Sequence, residues 1–181
     1  MATNSANVRV AVSGEVLVGL TTATAPTGTA GTTTGFAGLG YVSEDGVTET
    51  RDRSSDTIKA WQNGDTVRTV VTDSTLTYHF TLLETNAATV GLFYGATVTS
   101  ASLEGNFLVV PSSTGGRKSF ILDVVDGAQL LRTYIPQGEV TEVGDVVYAS
   151  GSAIGYEVTI TAYPDTTLAA SAKTYATALK T

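Results

Sequence analysis

Thr75-Leu76-Thr77-Tyr78-His79-Phe80-Thr81-Leu82 alternates polar and apolar side chains without a break. Successive side chains of a strand point to opposite faces, so the pattern predicts a buried face of Leu76, Tyr78, Phe80 and Leu82 and a polar face of threonines and His79. His79 is the only histidine and the chain has no cysteine, so no second histidine or cysteine completes a ligand set and it reads as a surface residue rather than a metal ligand or general base. Just downstream, Thr85 or Asn86 can cap a short helix over Ala87 to Tyr94, with Gly95 placed to end it. Val90, Leu92, Phe93 and Tyr94 leave that helix apolar on most sides, so it must pack against a sheet.

Upstream, Asn63-Gly64 joins Ile58 to Gln62 with Asp65 to Val71, and the pair suits a two-residue turn whose central residues take positive φ. That turn would place Lys59 directly across from Arg68, an unfavourable like-charge pair unless both face water or a carboxylate lies near, on this chain or on an adjacent subunit. Before it, Glu44 to Thr57 carries Glu44, Asp45, Glu49, Arg51, Asp52, Arg53 and Asp56 with hardly any apolar residue. It reads as a solvated surface loop. A calcium loop is disfavoured, because Ser43-Glu44-Asp45-Gly46 lacks the acidic spacing of an EF-hand.

Further out, Val8, Val10 and Val12 and then Val16, Val18 and Leu20 alternate about Ser13-Gly14, which predicts an N-terminal hairpin preceded by a mobile arm. Residues 21–35 are a low-complexity run of Thr, Ala and Gly, expected as a flexible loop; no P-loop lysine or dinucleotide fingerprint accompanies the glycines. Phe36 to Ser43 and Phe107 to Val110 have strand character. Phe120, Leu122 and Val124 lead into a turn at Asp126-Gly127, and Ala128 to Ile135 returns, with Pro136 marking an edge or corner. Tyr156, Val158, Ile160 and Ala162 form one face of a last strand, closed by Pro164-Asp165. Leu168, Ala172, Tyr175 and Leu179 stand at helical spacing, so residues 164–181 are either a short helix or a pliable arm.

Many short alternating strands with one packed helix make a mainly β protein, a β-sandwich or partly open barrel over residues 1–163 followed by a C-terminal arm. The 181 residues suit one domain. Charged residues make up only 15%, their place taken by Thr, Ser, Gly and Ala; such a surface fits either a Thr-rich β domain or a protein covered by copies of itself. Ten basic against seventeen acidic residues, a net charge of −7, disfavour binding to phosphates. No secretory signal is visible at Met1 to Val10, and no apolar run approaches the roughly 20 residues that span a bilayer, so no membrane partner is expected. Without a nucleophile beside a base, paired carboxylates on one face or a metal set, an enzyme is not expected, nor any cofactor.

The segments Gly40-Tyr41-Val42-Ser43-Glu44-Asp45-Gly46-Val47, Ile58-Lys59-Ala60-Trp61-Gln62-Asn63-Gly64-Asp65, Phe80 to Asn86 and Leu92-Phe93-Tyr94-Gly95, in this order, resemble the major tail tube protein of long-tailed bacteriophages. Arg132 to Pro136, Gly144 to Tyr148 and Ile154 to Pro164 extend the resemblance over most of the chain. It implies a virion protein whose sheet joins those of its neighbours into a closed hexameric ring, rings stacking into a tube through which DNA passes; the acidic balance predicts that DNA is not held tightly, and the absence of a visible signal predicts assembly in the host cytoplasm. It also implies that Glu44, Asp45, Glu49, Arg51, Asp52, Arg53 and Asp56 contact the next ring, and that tape measure, tail terminator and tail tip proteins are partners. A capsid decoration protein or a surface-adhesion sandwich is the alternative that composition leaves open.

Overall fold

The computed structural model describes residues 7–100 and 103–179; the expected N-terminal arm lies almost wholly outside them. Ten strands run β1 (Ser13–Gly19), β2 (Phe36–Gly38), β3 (Val42–Lys59), β4 (Thr66–Leu82), β5 (Thr99–Ser100), β6 (Gly105–Asn106), β7 (Lys118–Asp126), β8 (Gln129–Val143), β9 (Tyr156–Ala162) and β10 (Lys173–Ala176), with one α-helix, α1 (Ala87–Phe93), after β4. One antiparallel sheet has the order β2-β1-β7-β8-β9-β4-β3, β10 adds to β8, and β5 pairs with β6 apart from it.

The sheet curls because its two ends are the same piece of chain. Leu39 N donates to Val16 O at 2.9 Å, beside β1, and two residues on Tyr41 O accepts from Leu83 N at 2.9 Å, at the end of β4. Phe36 to Val42 therefore links both margins, giving the partly open barrel. The core inside it takes Phe80, Leu82, Phe120, Ile135, Val158 and Ile160 from the strands and Val90, Leu92 and Phe93 from α1. The alternation expected at Thr75 to Leu82 and at Tyr156 to Ala162 is present: Tyr78, Phe80, Leu82, Tyr156, Val158, Ile160 and Ala162 are buried. Asn86 caps α1, its Oδ1 accepting from Thr89 N at 2.9 Å, and Thr89 Oγ1 donates to Leu39 O at 2.8 Å. The helix is thereby tied to the closing segment.

A second, smaller cluster of Leu17, Ile121 and Tyr134 lies on the other side of β1, β7 and β8, with Phe36 and Tyr175 against it. The 21–35 segment forms no strand. It is tied to this side by hydrogen bonds to its carbonyls, from Arg132 Nη1 to Gly31 O at 2.8 Å and from Tyr175 Oη to Pro26 O at 2.7 Å. Beneath it Arg132 meets Asp123 through two bonds, Nε to Oδ1 at 2.7 Å and Nη2 to Oδ2 at 2.5 Å.

Several expectations are corrected. The hairpin about Ser13-Gly14 does not form: Gly14 stands inside β1 opposite Val124, and Val8, Val10 and Val12 are exposed. A strand is expected at Phe107 to Val110, but only Gly105–Asn106 pairs. The turn expected at Asp126-Gly127 centres on Gly127 (φ 59) and Ala128, since Asp126 pairs with Gln129. The tail is neither an α-helix nor a detached arm over Lys173–Ala176, where it pairs with β8 from Leu131 to Tyr134 and then turns into a short 3-10 helix, Thr177–Leu179. Pro136 sits where β8 passes from pairing with β10 to pairing with β9, a corner at which its missing donor costs no ladder bond.

Candidate functional site

The segment expected as a charged loop is a strand. Glu44 to Thr57 lies within β3, and β3 and β4 form a hairpin of 18 and 17 residues. Only Thr77–Leu82 of β4 pairs with β9. Beyond that, the two strands run as a ribbon with no third strand, and residues 51–75 are exposed apart from half-buried Ala60. From Leu76 to Thr66 the ribbon reaches about 33 Å past the body, at 3.3 Å per residue. With neither face buried, no apolar period marks it in the sequence.

Its end differs from expectation as well. Asn63 (φ 59) and Gly64 (φ 68) do take positive φ. The loop is longer than two residues, however: Ala60 N donates to Asp65 O at 2.8 Å, and Trp61 to Gly64 form the turn. Lys59 consequently stands opposite Thr66 and Arg68 opposite Ile58, with a bulge between. Ile58 and Lys59 are consecutive, so the two cations lie on opposite faces and the like-charge clash does not arise.

Pairing sorts the ribbon's charges by sign. Arg51 pairs with Leu76, Arg53 with Ser74, Ser55 with Val71 and Thr57 with Thr69, so Arg51, Arg53 and Lys59 share one face. Asp52 pairs with Thr75, Ser54 with Asp73 and Asp56 with Val70, so Asp52, Asp56 and Asp73 share the other, with Arg68. The signal was present as Arg51-Asp52-Arg53: in a loop such mixed signs say nothing about direction, and in a strand they segregate.

Each face continues a side of the body. The basic face extends the side that holds Val47, Tyr78 and Phe80, and so runs past the end of its own core. Glu49 stands at the junction, 3.0 Å from Arg51 Nε, an exposed pair worth little by itself. Burial, and then the charge of Glu49, push the Tyr78 phenol well above its usual range. The acidic face extends the outer surface of β4, β9 and β8, where Thr77 stands beside Thr161 and Glu139, and His79 beside Thr159 and Glu142. His79 Nε2 lies 2.8 Å from Glu157 Oε1, both exposed. Threonine and glutamate thus make a continuous polar surface running on into Asp52, Asp56 and Asp73.

Glu44 and Asp45 sit apart from the ribbon, in the irregular stretch between Val42 and Val47. Glu44 borders a cleft of about 870 Å³ where the barrel is open, with Glu15, Tyr41, Ser43, Tyr78 and Glu84. Glu84 is held by Tyr41 N at 2.9 Å. Among the described residues no group of three or more His, Cys, Asp or Glu is arranged to hold a metal ion, and no helix is long and apolar enough to cross a membrane.

A barrel that sends a ribbon this long beyond its own core, with both ribbon edges unpaired and charge divided between its faces, has the form of an assembly subunit. Comparison with known families agrees. The family model described as phage tail tube protein matches residues 1–179, and the chain belongs to that family: a structural component of the virion tail that assembles with copies of itself into a tube alongside other tail proteins. No curated protein matches the chain.

Proposed function

We propose that the chain forms hexameric rings that stack into the conduit for DNA ejection, with the β3-β4 ribbon as the element that carries contacts between copies. The observation that carries this reading is the ribbon itself: residues 51–75 are exposed, the sheet there has outrun its own core, and its charges are divided by face. A neighbouring body would cover the basic face, pairing Arg51, Arg53 and Lys59 with its carboxylates. Glu49 would stay on that face beside Arg51 against the next ring, with Glu44 and Asp45 at the base, while Asp52 and Asp56 on the other face would line the lumen and Arg68 would take an acid from the adjacent subunit.

The continuous surface of Thr77, Thr159, Thr161, Glu139, Glu142 and Glu157 then faces the channel. Its negative potential repels phosphate and lets DNA slide without being held. Assembly takes place in the host cytoplasm, with tape measure, terminator and tip proteins setting length and ends. Electron microscopy of the purified chain tests this, with a variant whose residues 51–75 are replaced by a four-residue turn. Hollow polymers of uniform width from the parent chain, and only folded subunits from the variant, are expected. Equal polymerisation by both would remove the ribbon from the mechanism, and single particles from the parent chain would favour a decoration or adhesion module.

A further inference from the structure

The ribbon ends in the chain's only tryptophan. Trp61 is 99% exposed, the most exposed large hydrophobic residue among those described. It stands in a loop with a fixed shape, pinned by the Ala60 to Asp65 bond and by the positive φ of Asn63 and Gly64. An aromatic of this size carries roughly 150 to 250 Å² of surface that is costly to leave in water, and a rigid aromatic at a protruding tip has the character of an interface anchor. Its own body lies about 33 Å away along the ribbon, so any seat for it belongs to another molecule.

Among the described residues, hollows on the body include three that differ in charge. The cleft at the barrel opening is rimmed by Glu15, Glu44 and Glu84, and a second, beside Phe93 and Val110, carries Glu142 and Asp145. Either would oppose the charge of Asp65, the charged residue within the loop itself, Lys59 and Arg68 standing behind it on the strands. The third lies between α1, β1 and β2, about 490 Å³, lined by Val18, Phe36, Ala37, Ala88, Gly91 and Leu92, and its one charged wall residue is Lys118. Small side chains leave room there for a flat ring, the walls are apolar, and the rim charge is opposite to that of Asp65.

We infer that Trp61 of one copy seats in the α1-β1-β2 hollow of a second copy, with Asp65 facing Lys118. This rests on the tube reading above and adds the anchor and its seat. Tip and hollow lie at different places on the chain, so one contact leaves a free tip and a free hollow from which the same contact can repeat around a ring or along a tube.

A single tryptophan makes the test direct. In the full chain, emission from Trp61 should shift to the blue and escape acrylamide quenching as polymers form. Trp61→Ala should raise the critical concentration for assembly at least about tenfold, the loss expected of an interface anchor, with an unchanged circular dichroism spectrum, and Trp61→Phe should recover most of it. Ala37→Phe, which narrows the hollow from its exposed rim while keeping Trp61, should raise it likewise. Polymers in which Trp61 stays freely quenchable would overturn the inference and leave the tube reading intact. Normal assembly of Ala37→Phe would overturn the assigned seat. A blue shift on adding anionic lipid vesicles, without polymer, would overturn it in favour of a membrane contact, and the absence of polymer under every condition would remove the tube reading and this one together.

Discussion

Replacing Asp123 by Asn should cost about 3 kcal/mol of stability, at the lower end of the 3 to 5 kcal/mol that follows loss of one partner from a buried ion pair. The side chains of Arg132 and Asp123 are only 7% and 4% exposed. Hydrogen bonds donated to the Asp123 carboxylate strengthen the hold of the Arg132 guanidinium on its proton, against the opposing pull of burial. The amide keeps the shape and one acceptor for Nε, but leaves a cation under the 21–35 segment with Gly31 O as its other partner. That segment can shift and admit water, which is why the lower figure applies. For a chain of this size each kcal/mol moves Tm by roughly 2 to 4 °C, so a fall of about 10 °C is expected. Urea unfolding followed by circular dichroism, at unchanged slope, measures it. The apolar double replacement Asp123→Leu with Arg132→Met should recover most of the loss, since it leaves no unpaired charge. A loss under about 1 kcal/mol for Asp123→Asn would mean that the pair behaves as a solvated surface pair, and the second core is open to water.

Replacing Arg51 and Arg53 by Gln should reduce sedimentable polymer and its salt sensitivity while stability shifts by less than about 0.5 kcal/mol, because both are exposed; the same change at Asp52 and Asp56 should leave polymer yield near that of the parent chain. Tyr78 should stay protonated in absorbance titrations that ionise exposed tyrosines. Its folded pKa is raised, so above the ordinary value of about 10 the unfolded chain releases a proton that the native state keeps, and stability falls as pH rises; Tyr78→Phe should flatten that slope in alkaline urea melts. Gly40→Ala should cost about 1 to 3 kcal/mol in thermal melts, since φ is +85° there and a Cβ would run into the Glu84 carboxylate.

What the sequence made legible is the part of the sheet with one wet and one dry face. Thr75 to Leu82 and Tyr156 to Ala162 alternate because only one side is packed, and Asn86 announces α1 because a cap is a local interaction. Where both faces are buried the period disappears: Val16 and Leu17 are adjacent and both buried, one in each core, so β1 was misread as the second arm of a local hairpin. Where neither face is buried it disappears too, and β3 looked like a loop. Lys173–Ala176 becomes a strand only because β8 offers it an edge, and no local pattern records that. The charged residues of the candidate site were visible; their division between two faces was not, because it exists only once the backbone is extended.

That division also bears on how a ribbon with two free edges avoids pairing wrongly. A lone two-stranded hairpin is marginal in water, and ordering its backbone costs roughly 1 to 2 kcal/mol per residue, so on the proposed reading neighbours supply much of what holds residues 51–75 straight. Edges waiting for a partner will accept any strand unless something penalises the wrong register. In β3 the penalty is written at period two. A one-residue slip turns every side chain to the opposite face, which would take Arg51 and Arg53 away from the carboxylates of the neighbouring body and push Asp52 and Asp56 toward them. The bulge between Ser54 and Ser55 adds a landmark that a slipped strand cannot match. Sparse charge over the rest of the surface leaves few competing sites for the ribbon's cations, so most of the specificity of assembly falls to this one hairpin and to the tryptophan at its tip.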